Sequence, residues 1–181
     1  MELEVRIVSD GNLFASTAQT ITNTVNCRGV MGKGIALEFK KRYPGMFEDY
    51  KVRCDRGEVQ PGHPYVYAVH TDPQLRLTPD RSPHGPTLIL NFPTKDSWRR
   101  PSKIEWIEQG LRNLRDCYHE WGIESIAMPP LGCGNGGLEW HEVGPLMYRH
   151  LIEMDIPAEI FAPPGTPEEE LSLDWLSEVG Q

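Results

Sequence analysis

The 181-residue sequence lacks the marks of a membrane, secreted or metal-binding protein. It has no apolar run approaching the roughly 20 residues that a membrane-spanning helix needs. Its first residues, Met-Glu-Leu-Glu-Val-Arg, do not show the cationic-then-apolar order of a signal peptide, so a cytoplasmic location is expected. Cys27, Cys54, Cys117 and Cys133 form no Cys-x-x-Cys pair and do not combine with the six histidines at metal-ligand spacing. Reduced thiols, no metal and no cofactor are therefore expected. A cationic excess is also missing, since the net charge is −8. That argues against a general nucleic-acid coat or a membrane-surface binder, but leaves room for a local site that takes a nucleic-acid end. No internal repeat is visible.

What is present is an alternation of strand and helix patterns. Leu3–Val8 alternates apolar and charged residues as a first strand. Thr20–Val25 reads as a second strand, followed by a helix to about Tyr43 that Pro44-Gly45 stops, and another helix from about Met46 to Arg56. Tyr65–His70 alternates as a strand. Residues 71–86 are polar without a period and read as a surface excursion. Leu88–Phe92 is the continuous apolar run of a buried strand. A helix from about Ser102 to Trp121 carries a capping-box pair, Ser102 and Glu105. Glu124–Met128, a helix over Trp140–Met154 and a strand at Ala158–Ala162 complete the series. The pattern predicts an α/β layer fold with a mostly parallel sheet, monomeric, over residues 1–163. Residues 164–181 form an acidic tail or linker: a docking helix, the start of a connection to another domain, or a disordered segment.

Two glycine-rich stretches each follow a strand and precede a helix. The first, Arg28-Gly-Val-Met-Gly-Lys-Gly-Ile35, matches neither the Gly-x-Gly-x-x-Gly dinucleotide fingerprint nor the Walker phosphate loop. Its three glycines still permit close backbone approach to an oxyanion beside the free N–H groups of a helix start. The second is Pro130-Leu-Gly-Cys-Gly-Asn-Gly-Gly-Leu138. In parallel sheets ligands sit at the carboxyl ends of strands, so both loops and the Pro93-Thr94-Lys95 turn should meet in one cleft.

Three stretches carry a family resemblance when taken together and in order. Asn23-Thr-Val-Asn26-Cys-Arg-Gly-Val-Met-Gly-Lys-Gly-Ile-Ala resembles the first signature of macrodomains, the three-layer α/β/α modules that bind ADP-ribose. Asn91-Phe-Pro-Thr94-Lys95 and Pro130-Leu-Gly-Cys-Gly-Asn-Gly-Gly-Leu-Glu-Trp140 resemble two further signatures. The similarity is greatest to the antitoxin branch, which removes ADP-ribose from thymidine in single-stranded DNA modified by a DarT-like toxin. It implies an ADP-ribosyl glycohydrolase over residues 3–163 with ADP-ribosylated single-stranded DNA as substrate and a DarT-like toxin as partner. The alternatives are a hydrolase of ADP-ribosylated acidic side chains or O-acetyl-ADP-ribose, and a non-catalytic ADP-ribose reader.

The resemblance also implies residue roles. Leu131, Gly132, Cys133, Gly134, Asn135, Gly136, Gly137 and Leu138 would wrap the diphosphate and proximal ribose. Gly29, Val30, Met31, Gly32, Gly34 and Ile35 would cover the diphosphate from the other side. Asn26 would reach the distal ribose, or else cap its own turn; Asn23 and Thr94 are further implied ADP-ribose-binding residues. The family's adenine-reading carboxylate is replaced by Asn12, with Asp10 two residues earlier, and either can read the base beside the Leu13 N–H. Phe161 would pack on adenine or in the core. Lys95 is the implied catalytic residue. As a desolvated neutral amine it would attack the anomeric carbon or the ring-opened aldehyde; protonated, it would stabilise the departing base. Trp98, Arg99 and Arg100 offer stacking and phosphate contacts to a nucleic-acid strand, or form a solvated turn. The protein-acting relative carries an aspartate in the second loop where this sequence has Gly136, which favours the DNA-directed reading.

Overall fold

The computed structural model describes residues 4–71 and 85–179. Six strands form one sheet: β1 (Val5–Val8), β2 (Thr20–Val25), β3 (Tyr65–Ala68), β4 (Leu88–Pro93), β5 (Ile126–Met128) and β6 (Ala158–Phe161), in the order β1-β6-β5-β2-β4-β3. Every pairing is parallel except β3 with β4, so five strands point their carboxyl ends to one side. Helices α1 (Gly34–Arg42) and α2 (Pro44–Asp55) pack on one face. On the other lie α3 (Ile104–Cys117), α4 (Trp140–Leu151) and α5 (Leu173–Val179).

The period of two along the strands produces the three layers. In β4, Leu90 and Phe92 face Ile107, Leu111 and Leu114 of α3, whereas Ile89, one residue before Leu90, faces Phe39 of α1 and Met46 and Tyr50 of α2. Both faces are therefore buried, which is why Leu88–Phe92 is apolar at every position but Asn91, whose Oδ1 accepts from Asn23 Nδ2 at 3.1 Å.

Some boundaries differ from the sequence reading. Strand pairing at β3 stops at Ala68 and Val69–Thr71 closes as a 3-10 turn. The expected excursion lies largely at 72–84, outside the described residues. The capping box at Ser102 does not form: α3 begins at Ile104 after Lys103, and no side chain caps it. Ser102 is drawn instead into the second glycine loop, where its N–H donates to the Gly136 carbonyl at 2.9 Å. Within the acidic segment, Leu173–Val179 forms a helix docked on α4. Leu176 of α5 is fully buried in the same cluster as α4, and the Trp140 indole N–H donates to the Glu170 carbonyl at 3.3 Å.

A candidate ADP-ribose cleft at the carboxyl edge of the sheet

The loops that follow β1, β6, β5, β2 and β4 share one edge. Backbone and side-chain contacts lace three of them together. The Thr94 N–H donates to the Val25 carbonyl at 3.0 Å and the Cys27 N–H to the Asp96 carbonyl at 3.1 Å, joining the first glycine loop to the turn after β4. Arg28 pairs with Asp96 at 3.1 Å across the same seam. Lys95 extends from that turn and donates through Nζ to the carbonyl of Asn135 in the second glycine loop. The three expected motifs thus meet, with Lys95 as the crosspiece.

Lys95 is partly buried, and its amine is pushed below the ordinary lysine value by desolvation. Among the described residues no carboxylate pairs with it. Nothing of opposite charge offsets the desolvation, so the neutral form is favoured relative to a solvated lysine.

The second loop is folded on itself. Leu138 N–H donates to the Gly132 carbonyl at 3.0 Å, and Gly132 takes φ 72°, which an L side chain rarely adopts. Gly136 is confined sterically: a Cβ there would lie 2.3 Å from the Gly132 carbonyl oxygen and 2.4 Å from Ser102 Oγ. Cys133, in this loop, has its thiol pushed up to about 12 by burial, as does Cys27 in the first. Neither is poised as a thiolate nucleophile, in keeping with a filler role.

In the first loop Asn26 caps its own turn. Its Nδ2 donates to the Val30 carbonyl at 2.7 Å, and its Oδ1 accepts from the Arg28 N–H at 2.9 Å, with Tyr50 Oη 2.9 Å away. Met31 is buried and Val30 exposed, so the loop alternates between anchoring and presenting residues. Asn23 is fully buried, its amide donating to Asn91 Oδ1 at 3.1 Å and lying 3.8 Å from Met31 Sδ. It sits beneath the cleft. Thr94 is likewise buried, at the strand end under Lys95.

A cavity of about 400 Å³ opens beside the ends of β1 and β6. Asn12, Leu13, Phe161 and Ile35 line it, together with Asp10, Arg42 and the Pro129-Pro130 pair. Asn12 spends Oδ1 on the N–H of Phe14 at 3.0 Å, capping the short 3-10 turn Leu13–Ala15. Asp10 stands at φ 52°, the single non-glycine residue with positive φ among those described, and its carboxylate has no protein partner there. The sequence reading did not single out Arg42, whose guanidinium lies 4.4 Å from the Phe14 ring centroid at the cavity wall. Its place two turns along α1 from the glycine loop was the available signal.

A second cavity of about 330 Å³ lies at the turn after β4. It is lined by Arg28, Asp96, Ser97, Trp98, Arg99 and Arg100.

Residues 22–147 match the Macro domain family model. A DNA ADP-ribosyl glycohydrolase of Mycobacterium tuberculosis is 46% identical over 156 residues, covering 86% of this chain and 41% of that protein. The macrodomain of Mycobacterium tuberculosis DarG superposes with a TM-score of 0.78 at 42% identity, covering 88% of this chain and 98% of that one. Thermosipho africanus DarTG in complex with ADP-ribose superposes with a TM-score of 0.85 at 39% identity, covering 97% of this chain and 47% of that one. The chain spans about two fifths of the length of the curated M. tuberculosis relative. With three laced loops on a mixed six-stranded α/β/α sheet, a family-model match over most of its length and these relatives, the chain belongs to the Macro domain family.

Proposed function

We propose that this chain is an ADP-ribosyl glycohydrolase that releases ADP-ribose from ADP-ribosylated thymidine in single-stranded DNA, acting as an antitoxin toward a DarT-like toxin. The observation that carries the reading is Lys95: a desolvated amine without a carboxylate partner, bridging the two loops that would flank the ribose. The names of the relatives support the substrate, and the ADP-ribose held by the Thermosipho africanus protein supports the ligand.

Adenine would enter the 400 Å³ cavity, with Asp10 accepting from its amino group because the Asn12 oxygen is already engaged as a cap. The diphosphate would follow the two glycine loops, whose free N–H groups are suited to anions. The proximal ribose would then reach Lys95. Displacing the Asn135 carbonyl would free Nζ for the substrate. As a neutral amine it would attack the anomeric carbon, the new C–N bond forming as the bond to the base breaks and the base leaves with a proton. Water would then hydrolyse the lysine adduct to free ADP-ribose and restore the amine. As a cation it would stabilise the departing base while water adds to the anomeric carbon. A glycosidase of the usual kind pairs two carboxylates; the second loop carries none, and Asp96 is held by Arg28.

The test offers ADP-ribosylated single-stranded DNA to the wild type and to Lys95→Ala and follows free ADP-ribose. Turnover by the wild type alone is expected. Turnover only on ADP-ribosylated protein or O-acetyl-ADP-ribose would reassign the substrate. ADP-ribose binding without turnover on any of them would make the chain a reader.

A further inference from the structure

The 400 Å³ cavity lies by β1, β6 and β5, whereas the 330 Å³ cavity is built from residues that follow β2 and β4, with Asp96 to Arg100 directly after Lys95 in the chain. A ligand whose adenine end occupies the first and whose reacting carbon reaches Lys95 would bring its leaving group to the turn that carries the second. The chemistry of that second cavity then specifies what the leaving group is attached to.

Its chemistry departs from the rest of the surface. Among the described residues, Arg99 and Arg100 have no carboxylate within 4.0 Å. Among the described residues every other arginine except Arg42 has one. Two unpaired guanidinium groups on a chain of net charge −8 form a local cationic site, where anions are otherwise repelled. Trp98 is 52% exposed, the most exposed large apolar side chain described. A tight turn holds it out: Arg100 N–H donates to the Ser97 carbonyl at 3.1 Å and Arg99 N–H to Ser97 Oγ at 3.3 Å. The Arg99 guanidinium lies 4.5 Å from the Trp98 ring centroid. The Arg28–Asp96 pair makes the opposite wall.

From this arrangement we infer that the Arg28–Asp96–Trp98–Arg100 cavity is a polynucleotide subsite. It holds a phosphodiester on Arg99 and Arg100, and Trp98 stacks on a base beside the modified nucleotide in single-stranded DNA. The inference rests on the reading of the chain as a DNA-directed glycohydrolase and extends it from the modified base to its neighbour. Because the contacts are to phosphate and to a π-face, the subsite tolerates any flanking base.

The experiment measures fluorescence anisotropy of a labelled, unmodified thymidine octamer with the wild type, Trp98→Ala and the Arg99→Ala/Arg100→Ala double variant across a salt series. Thermal unfolding checks that each variant is folded. The wild type is expected to bind. Trp98→Ala should lose about 5- to 150-fold in affinity, since one stacked base contributes ~1–3 kcal/mol, and the arginine double variant should also bind more weakly, most markedly at low salt. Removing the two cations should lower the slope of log affinity on log salt by about 1.4, while Trp98→Ala leaves it unchanged. No binding by the wild type, or variants that bind like it, overturns the subsite. The parent reading is scored separately by turnover of ADP-ribosylated DNA. Octamer binding without turnover defeats the glycohydrolase and keeps the subsite, whereas turnover with octamer binding unaffected by the substitutions defeats the subsite alone.

Discussion

The Ser102 N–H donates to the Gly136 carbonyl at 2.9 Å, and its Oγ occupies the space that any side chain at 136 would need. Gly136→Ala should force the second glycine loop open, because both clashing groups, the Gly132 carbonyl and Ser102, are buried with it. Overpacking of this kind costs roughly 1–3 kcal/mol, so ADP-ribose affinity should fall by about tenfold or more in calorimetric titration. Ser102→Ala removes a buried hydroxyl that has no partner and should leave the melting temperature unchanged or raised.

Lys95→Ala should abolish turnover while ADP-ribose still binds, since the loops and the 400 Å³ cavity supply the binding contacts. Lys95→Arg separates the two roles, because a guanidinium stays charged and cannot act as a neutral amine: an attacking amine predicts no turnover, a stabilising cation partial turnover. Desolvation lowers the Lys95 pKa, so an attacking amine predicts activity that rises with pH along a limb set below 10.5. A profile that instead falls across that range identifies the cationic role. Initial rates between pH 6 and pH 10 distinguish the two.

Asp10→Ala should raise the Kd for ADP-ribose by about tenfold or more, as expected for losing a hydrogen bond to a charged acceptor (~1.5–3 kcal/mol). Asn12→Ala should act mainly through the lost cap of the Leu13–Ala15 turn, costing ~1 kcal/mol of stability. Titration and thermal melts on the two variants separate base reading from capping.

His150 makes the fold sensitive to mild acid. It is 5% exposed and neither ring nitrogen has a partner. Burial, then Arg115 and Arg149, push its pKa down against the weaker pull of Glu153 and Glu108. The folded state therefore binds its proton less readily than the unfolded chain, whose histidine titrates near 6.5. Stability is complete above that value and declines as pH falls from about 6.5 toward the folded pKa. The melting temperature should be lower at pH 5.5 than at pH 7.5, and His150→Leu should narrow the difference.

Gly110→Ala should destabilise although alanine is the better helix former. A Cβ there would lie 2.2 Å from Phe92 Cζ, and Phe92 is fully buried between β4 and α3. A loss of about 1–3 kcal/mol is expected, with ~2–4 °C in melting temperature for each kcal/mol.

Periodicity and the two glycine stretches sufficed to locate every strand and the principal helices, because those signals are local. Leu88–Phe92 shows it most directly: both of its faces are covered, and burial on both faces leaves Asn91 as its one polar residue. The meeting of the glycine loops with Lys95 followed from each one trailing a parallel strand. Ser102 went the other way. Its sequence context, Ser-x-x-Glu, is that of a cap, yet Gly136 comes from 34 residues further along and takes its N–H. Asn26 illustrates a different limit, since ribose contact and turn capping call for the same side chain, and only the positions of Val30 and Tyr50 show the cap made.

The sequence by itself determined the layered α/β architecture, the glycine loops and the chemical identity of Lys95, because hydrophobic period and backbone permissiveness act within a few residues. The tertiary structure decided which polar groups are already spent and which remain open. It engaged Asn12 and Asn26 locally, buried Asn23 under the cleft and left Asp10, Arg99 and Arg100 unpaired. Partners drawn from β1, β2, β4 and the loops beyond them are distant along the chain, and their proximity arises only when the sheet orders its strands.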